Sequence, residues 1–174
     1  MPAESGREWW DYLDAASRKV KIARYHAEKL DALLQSGAAA TTVAVQAHFE
    51  GVLYALVAAW DKTEEGINLQ FSLGLAQDDL HDALKEMPKS RLRSSLFKLY
   101  QSAIAADVRS IRRLAVHHSY KKTPRGPQLE VELPTGKAYG GSRTLIVYAN
   151  AAVSHLESLE PLLDQLCQVA PSVK

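Results

Sequence analysis

The chain has 174 residues, of which 47% are apolar and 24% charged, a composition typical of a globular protein with one buried core. Its single cysteine, Cys167, excludes an intrachain disulfide, and its first residues lack the basic-then-apolar pattern of a signal peptide. No uninterrupted apolar run approaches the ~20 residues of a membrane helix. We therefore expect a cytoplasmic protein with no membrane partner.

The net charge is only +1 at pH 7, but the charged residues are distributed unevenly. Residues 87–129 contain ten Lys/Arg and one acid, Asp107, so this segment carries +9 and the remainder of the chain −8. A basic segment on an otherwise acidic protein is typical of a surface that binds a polyanion. The same distribution also fits a segment that neutralises acidic helices of this chain or of a second subunit.

Apolar periodicity predicts two long helices in the first half of the chain. Over about residues 7–35, apolar side chains from Trp9 to Leu34 recur at gaps of mostly three and four, and Ser36-Gly37 then ends the helix. A second helix begins near Thr41-Thr42. Its apolar face carries Phe49, Leu53, Leu56, Trp60 and Ile67. A short helix over about 78–86, closed by Pro88, follows.

The second half is predicted to contain two further helices and a hairpin. The third long helix covers about 89–118, and the last covers about 149–169. The strict alternation of Leu129–Leu133 predicts a strand, with Arg143–Tyr148 as its partner, so a β-hairpin is expected at about 127–148. The predicted fold is all-α, a single domain over residues 1–174 with four to five bundled helices and this hairpin inserted before the last one.

Chemistry-bearing residues are concentrated at the end of the third long helix. Arg109, Arg112 and Arg113 supply permanent cations that suit phosphate, and His117 and His118 can transfer protons near neutral pH. Such residues can cleave a phosphodiester without a metal. At ~100° per residue, Arg113 and His117 lie about 40° apart, but Arg112 and His117 lie about 140° apart. A pocket using the latter pair requires a loosened helix end or a second chain.

The run Arg112-Arg113-Leu-Ala-Val-His117 resembles the motif of the HEPN superfamily, which is arginine, a polar residue, three further residues and then histidine. The order of helices is also similar over about residues 40–168, and Phe49–Asp61 resembles the family's second helix. The family most often has asparagine where this chain has Arg113. The resemblance implies an HEPN-like helical bundle and a metal-independent endoribonuclease of a defence or toxin–antitoxin type.

In the activity implied by the resemblance, His117 is the general base on the ribose 2′-hydroxyl and Arg112 stabilises charge on the phosphoryl oxygens, which gives 2′,3′-cyclic phosphate ends. No metal or cofactor is implied. The implied partners are RNA or a nucleotide, a second copy of the chain with the motif at the dimer interface, and an antitoxin. The further substrate-binding candidates are Arg109, Arg113, His118, Tyr120, Lys121 and Lys122. The alternative is a noncatalytic HEPN-like scaffold that binds RNA, a nucleotide or another protein.

Other polar residues form weaker patterns. His81 lies near Asp78, Asp79 and Asp82, but a solvated helix start explains this cluster better than a metal site. The remaining histidines, His26, His48 and His155, are isolated in the sequence and are predicted to lie at the surface or the edge of the core. Cys167 is predicted to be a small buried residue.

Overall fold

A computed structural model of the chain describes residues 8–39, 42–75, 80–102, 122–123, 126–127 and 142–171. Within these ranges the fold is an all-α bundle of five helices. They are α1 (Trp9–Gln35), α2 (Val43–Gln70), α3 (Leu80–Glu86), α4 (Arg91–Tyr100) and α5 (Ser142–Gln168). A two-residue ladder pairs β1 (Lys122–Thr123) with β2 (Gly126–Pro127).

The first two helices form an antiparallel hairpin. Gly66, late in α2, lies against Leu13, early in α1, and a Cβ at Gly66 would be 2.5 Å from the Leu13 side chain. Further along the hairpin, a Cβ at Gly51 would be 2.6 Å from the ring of His26. The missing side chains of these two glycines therefore let α1 and α2 approach closely. Gly37, with φ 86°, ends α1 as the sequence predicts.

The predicted apolar faces of the long helices form the core. Leu13, Val20 and Leu30 of α1 are buried, as are all five residues assigned to the apolar face of α2. The last helix packs against α1, α2 and α4 and contributes Leu156, Leu159, Leu163 and Leu166 to the same cluster. These residues repeat every three or four positions, so the helical period that identified them also fixes which face is buried.

The predicted β-hairpin at about 127–148 is not seen. Arg143–Tyr148, expected to be its second strand, forms the first turns of α5. Leu145, Tyr148, Ala149 and Ala152 are buried there, at the three- and four-residue spacing of a helix. This stretch contains β-branched and aromatic residues, which favour a strand. Its apolar side packs on the bundle, and this tertiary packing favours a helix instead. The other predicted strand, Leu129–Leu133, lies outside the described residues.

The third long helix also differs from its prediction of one continuous element over about 89–118. It ends at Tyr100, where the amide of Gln101 donates to Phe97 O at 3.0 Å and that of Ser102 donates to Leu99 O at 3.1 Å. The second bond spans three residues rather than four, which tightens and closes the helix. Residues 103–121 lie outside the described part of the chain.

One described helix, α2, is long and apolar enough by length and composition to cross a membrane, with a mean hydropathy of 1.3 in its most apolar window. Half of that window is buried inside the protein. The core helix of a soluble bundle passes the same test. The sequence-based expectation differed because it counted uninterrupted apolar runs, whereas a hydropathy window tolerates isolated polar residues.

Candidate functional site

The arginine–histidine motif predicted to carry the chemistry lies outside the described residues. This applies to Arg109, Arg112, Arg113, His117, His118, Tyr120 and Lys121. The remaining candidate, Lys122, opens β1 and pairs with Pro127. On the N-terminal side of the motif, the nearest described residues are those at the end of α4.

The end of α4 is attached to the core through a buried histidine. His155 of α5 is 5% exposed, and its Nε2 accepts a hydrogen bond from Trp60 Nε1 of α2 at 3.0 Å. Its Nδ1 lies 3.2 Å from the hydroxyl oxygen of Ser102, two residues beyond α4. The ring of Tyr100 packs edge-on against Trp60, with centroids 5.6 Å apart. His155 was predicted to be an isolated core-edge or surface residue, and its burial in this network corrects that prediction.

These hydrogen bonds determine what His155 can do. An indole N–H is only a donor, so Nε2 must be the unprotonated nitrogen and the ring proton lies on Nδ1. The Nδ1–H then donates to Ser102 Oγ and cannot remove its proton. Ser102 and His155 therefore do not form a nucleophile–base pair, and the network holds the chain in position instead.

A basic cleft lies between α3 and α4. Its volume is about 750 Å³, and its lining includes four cations and no carboxylate. The lining residues are Lys85, Lys89, Ser90, Arg93, Ser94, Phe97, Lys98 and Gln101. All but Lys85 belong to the +9 segment, so the cleft contains much of the described part of that segment.

Local structure explains how the cations come together. Ser90 caps α4, with its hydroxyl accepting from the amide of Arg93 at 3.1 Å, so the positive end of the helix dipole faces the cleft. Arg93 also donates from Nη1 to Met87 O at 3.1 Å, across the junction with α3. This bond holds the guanidinium at the junction of the two helices, in the cleft that Lys85 and Lys89 also line.

Three of the four cations of the cleft have no ion pair among the described residues, as is also true of Lys19, Lys21 and Lys29 of α1. Elsewhere, Arg18 lies 2.7 Å from Asp14 and Arg24 lies 3.0 Å from Glu157. In the cleft, Lys85 lies 3.1 Å from Asp82, but Lys89, Arg93 and Lys98 have no ion pair within the described ranges. One of the two explanations of the +9 segment was that it neutralises acidic helices of the same chain. Among the described residues, no acid neutralises these three cations.

An aromatic side chain completes the cleft. Phe97 is half-buried, lines the cavity, and lies against the ring of His81, with centroids 5.4 Å apart. His81 Nδ1 also lies 3.4 Å from Asp82, while Asp78 and Asp79 lie outside the described residues. No group of three or more metal-ligating side chains occurs in the described ranges. The cleft thus combines cations, hydroxyls and one partly exposed aromatic ring, which suits a phosphorylated ligand with a planar base.

Sequence reasoning missed a second histidine site. His26 of α1 and His48 of α2 face each other, with their Nδ1 atoms 3.0 Å apart, although both were predicted to be isolated. They are 22 residues apart in the chain, so only the antiparallel register of the hairpin brings them together. Burial, with His48 as a second cause, lowers the pKa of His26 below its ordinary value.

Cys167 also differs from its prediction, because the structure places it at the surface rather than in the core. Partial burial, followed by the charges of Asp164 and Asp14, raises the pKa of its thiol. A raised pKa keeps a thiol protonated, so Cys167 has none of the character of an activated nucleophile.

No protein-family model matches the chain, and neither a curated protein nor a solved structure matches it. A functional assignment therefore depends on the motif in the sequence and on the chemistry of the described surface.

Proposed function

We propose that the protein binds RNA through the α3–α4 cleft and cleaves it, without a metal ion, at the Arg112–His117 motif. The observation that carries the binding half is the cleft itself, with four cations and no carboxylate in its lining. Three of these cations, Lys89, Arg93 and Lys98, have no ion pair among the described residues and can replace the counterions of a phosphate backbone. The cleavage half rests on the motif's resemblance to the HEPN superfamily.

RNA explains the cleft better than an acidic protein does because of Phe97. A carboxylate-rich partner needs only cations, whereas Phe97 offers an apolar face within the same cavity as Lys89, Arg93 and Lys98. Base stacking on aromatic side chains is worth about 1–3 kcal/mol per base and is largely independent of sequence. A single strand with accessible bases is therefore the form of RNA that this surface fits best.

In the proposed reaction, His117 removes the proton of a ribose 2′-hydroxyl and the resulting oxygen attacks the adjacent phosphorus. Arg112 stabilises the charge that builds on the phosphoryl oxygens. The bond to the 5′-oxygen breaks and that oxygen takes up a proton from water, which leaves a 2′,3′-cyclic phosphate and a 5′-hydroxyl. A homodimer in which two motifs share one cleft would bring Arg112 and His117 together despite their separation on an ideal helix. We further propose that the target is cytoplasmic RNA and that an antitoxin regulates the protein.

Binding is tested with the His117→Ala variant as background, so that the RNA stays intact. In that background, a triple variant replaces Lys89, Arg93 and Lys98 with alanine. A matched control replaces Arg18, Lys21 and Lys29, three exposed cations of α1, and so makes the same change in net charge. Affinity for a short labelled single-stranded RNA is measured by fluorescence anisotropy at several salt concentrations.

The cleft variant is expected to bind at least about 10-fold more weakly than the background, and its log–log salt slope should be smaller by about 2, because each phosphate contact on a single strand contributes ~0.7. The control should keep both values. Equal losses in the two triple variants would show that only net charge matters and would contradict a binding site in the cleft.

Cleavage is tested separately, by incubating total RNA with the wild type, Arg112→Ala and His117→Ala in the presence of EDTA. Chelator-resistant cutting that is lost in both variants supports the enzyme. RNA binding through the cleft without any cutting supports the alternative, a noncatalytic RNA-binding scaffold. Growth arrest on expression, relieved by His117→Ala, is a simpler indicator of the same activity.

A further inference from the structure

The side chains that line the α3–α4 cleft are ordered along α4. Arg93, Phe97 and Gln101 follow one another at intervals of four residues, so they form one row on the face of the helix that borders the cleft. Neighbours in this row lie about 6 Å apart along the helix axis. The row therefore places a cation, an aromatic ring and an amide in succession.

Gln101 differs from the other uncharged polar side chains of the cleft. The hydroxyl of Ser90 accepts from the amide of Arg93, and that of Ser94 donates to Ser90 O, each at 3.1 Å, so α4 itself engages both hydroxyls. Gln101 is exposed, and its side-chain amide makes no hydrogen bond within the described ranges. This amide therefore offers an acceptor oxygen and two N–H donors to a ligand in the cleft.

The position of Gln101 relative to Phe97 suits contact with a base stacked on the ring. Side chains of a helix lean toward its N-terminus, so the side chain of Gln101 covers the turn that carries Phe97. A base lying on the Phe97 ring then has one edge within reach of the amide. The cleft, with a volume of about 750 Å³, has room for a nucleotide, since ligand pockets measure about 300–1,000 Å³.

The chemistry of a glutamine amide selects among the bases. Adenine presents an amino donor beside a ring-nitrogen acceptor, and glutamine matches both with a pair of hydrogen bonds. Guanine presents two neighbouring acceptors on the corresponding edge and is matched by arginine or lysine instead. Cytosine also has an amino group beside a ring acceptor, but its single ring covers less of Phe97 than a purine does. Adenine is therefore the base that satisfies both side chains.

We propose that the α3–α4 cleft prefers adenine, with the base stacked on Phe97 and its edge hydrogen-bonded by Gln101. This inference rests on the proposed binding of RNA and narrows the substrate to single strands that place an adenine in the cleft. The cations and Phe97 supply affinity for any sequence, because phosphates and base faces are common to all of them. Gln101 supplies the selectivity.

The test compares short oligouridine strands that carry one central adenosine or one central purine riboside. Purine riboside keeps both rings of adenine but lacks the amino group, so stacking is retained and the paired hydrogen bonds are lost. Affinities are measured by fluorescence anisotropy in the His117→Ala background, with and without Gln101→Ala. Gln165→Ala, which removes an exposed glutamine of α5, is the matched control.

The background and the Gln165→Ala control should bind the adenosine strand about 5-fold or more tightly than the purine strand. Gln101→Ala should bind the two strands equally. Equal affinities in the background, or a preference for adenosine that survives in Gln101→Ala, overturns the inference. A strand with a central guanosine that binds more tightly than the adenosine strand also overturns it, because the cations would then read the base.

An all-uridine strand distinguishes failure of this inference from failure of the proposed function. Its affinity should be the same with and without Gln101→Ala and should fall when Lys89, Arg93 and Lys98 are replaced with alanine. If it falls but adenosine is not preferred, the cleft binds RNA without reading the base, and only the inference is overturned. If the triple replacement has no effect, RNA binding in the cleft is overturned, and the inference with it.

A second variant tests the stacking partner. Phe97→Leu keeps an apolar side chain on α4 but removes the aromatic ring, so the adenosine and purine strands should both bind about 5-fold or more weakly. Circular dichroism of the variant checks that the helices are retained. Unchanged affinities for both strands in a folded Phe97→Leu protein overturn the assignment of the base to this ring.

Discussion

The two histidine sites of the bundle use the same side chain in opposite ways. His155 is 5% exposed, and its two nitrogens face different partners, the Trp60 indole and the Ser102 hydroxyl. His26 and His48 are partly exposed, and each presents the same nitrogen to the other. The first arrangement fixes one tautomer in a dry core, whereas the second leaves two equivalent tautomers beside solvent.

His155 is therefore a structural residue of the core, whereas His26 and His48 are accessible to solvent. The hydrogen bond from Trp60 requires an unprotonated Nε2 on His155 and ties α5 to α2. The hydrogen bond of the His26–His48 pair can form with either ring as the donor. Loss of the first site should therefore affect the stability of the fold, and loss of the second should mainly affect how stability responds to pH.

The largest effect is expected from His155→Ala. The substitution leaves a cavity and removes the acceptor of the buried Trp60 N–H, so the free energy of unfolding should fall by roughly 2–4 kcal/mol. Urea unfolding followed by circular dichroism measures it. His48→Ala, at the partly exposed site, should cost less than about 1 kcal/mol. Equal losses in the two variants would contradict the distinction between the sites.

A smaller effect is expected from Trp60→Phe. Phenylalanine keeps an aromatic ring against Tyr100 but removes the indole donor 3.0 Å from His155 Nε2. The loss of that buried hydrogen bond and of part of the ring volume should lower the free energy of unfolding by about 1–2 kcal/mol. Combining it with His155→Ala in a double-mutant cycle should give strong non-additivity. Simple addition of the two losses would show that the residues do not act as a pair.

The smallest effect concerns pH. The pKa of His26 in the folded chain is below its ordinary value of 6.5, so near pH 6 the unfolded chain binds a proton that the folded chain does not. Stability therefore rises with pH up to about 6.5, and the full penalty is present below the folded-state pKa. The wild type should lose more stability than His26→Gln between about pH 7.5 and pH 5. Identical losses in chemical denaturation at the two pH values would refute this.

The sequence predicted the parts of the fold that depend on local periodicity. Leu13 to Leu30 on α1 and Phe49 to Ile67 on α2 repeat at helical spacing over about five turns, and every residue assigned to the apolar faces within these ranges is buried, although α2 also buries residues outside its predicted face. The prediction failed where the stretch of residues was too short to show a period. Arg143–Tyr148 offers only six residues, too few to separate a strand from the first turns of a helix. The apolar repeat in the sequence continues beyond Tyr100, so the repeat could not predict that α4 ends there.

The candidate sites divide in the same way. The concentration of cations in residues 87–129 is visible in the sequence, and so is the Arg112–His117 motif. The sequence could not show that Lys85 joins Lys89, Arg93 and Lys98 in one cleft, or that no carboxylate lines it. It could not pair His26 with His48, because residues 22 apart meet only through the register of two antiparallel helices.

The sequence by itself therefore determined the helical class, the buried faces of the long helices and the uneven distribution of charge, all of which follow from residue order within a few turns. The tertiary structure decided which distant side chains meet. Gly51 and Gly66 set how closely α1 and α2 approach, and that approach places His26 beside His48. The packing of α5 on α2 buries His155 against Trp60. These contacts depend on the register and distance between elements, which no local pattern of residues encodes.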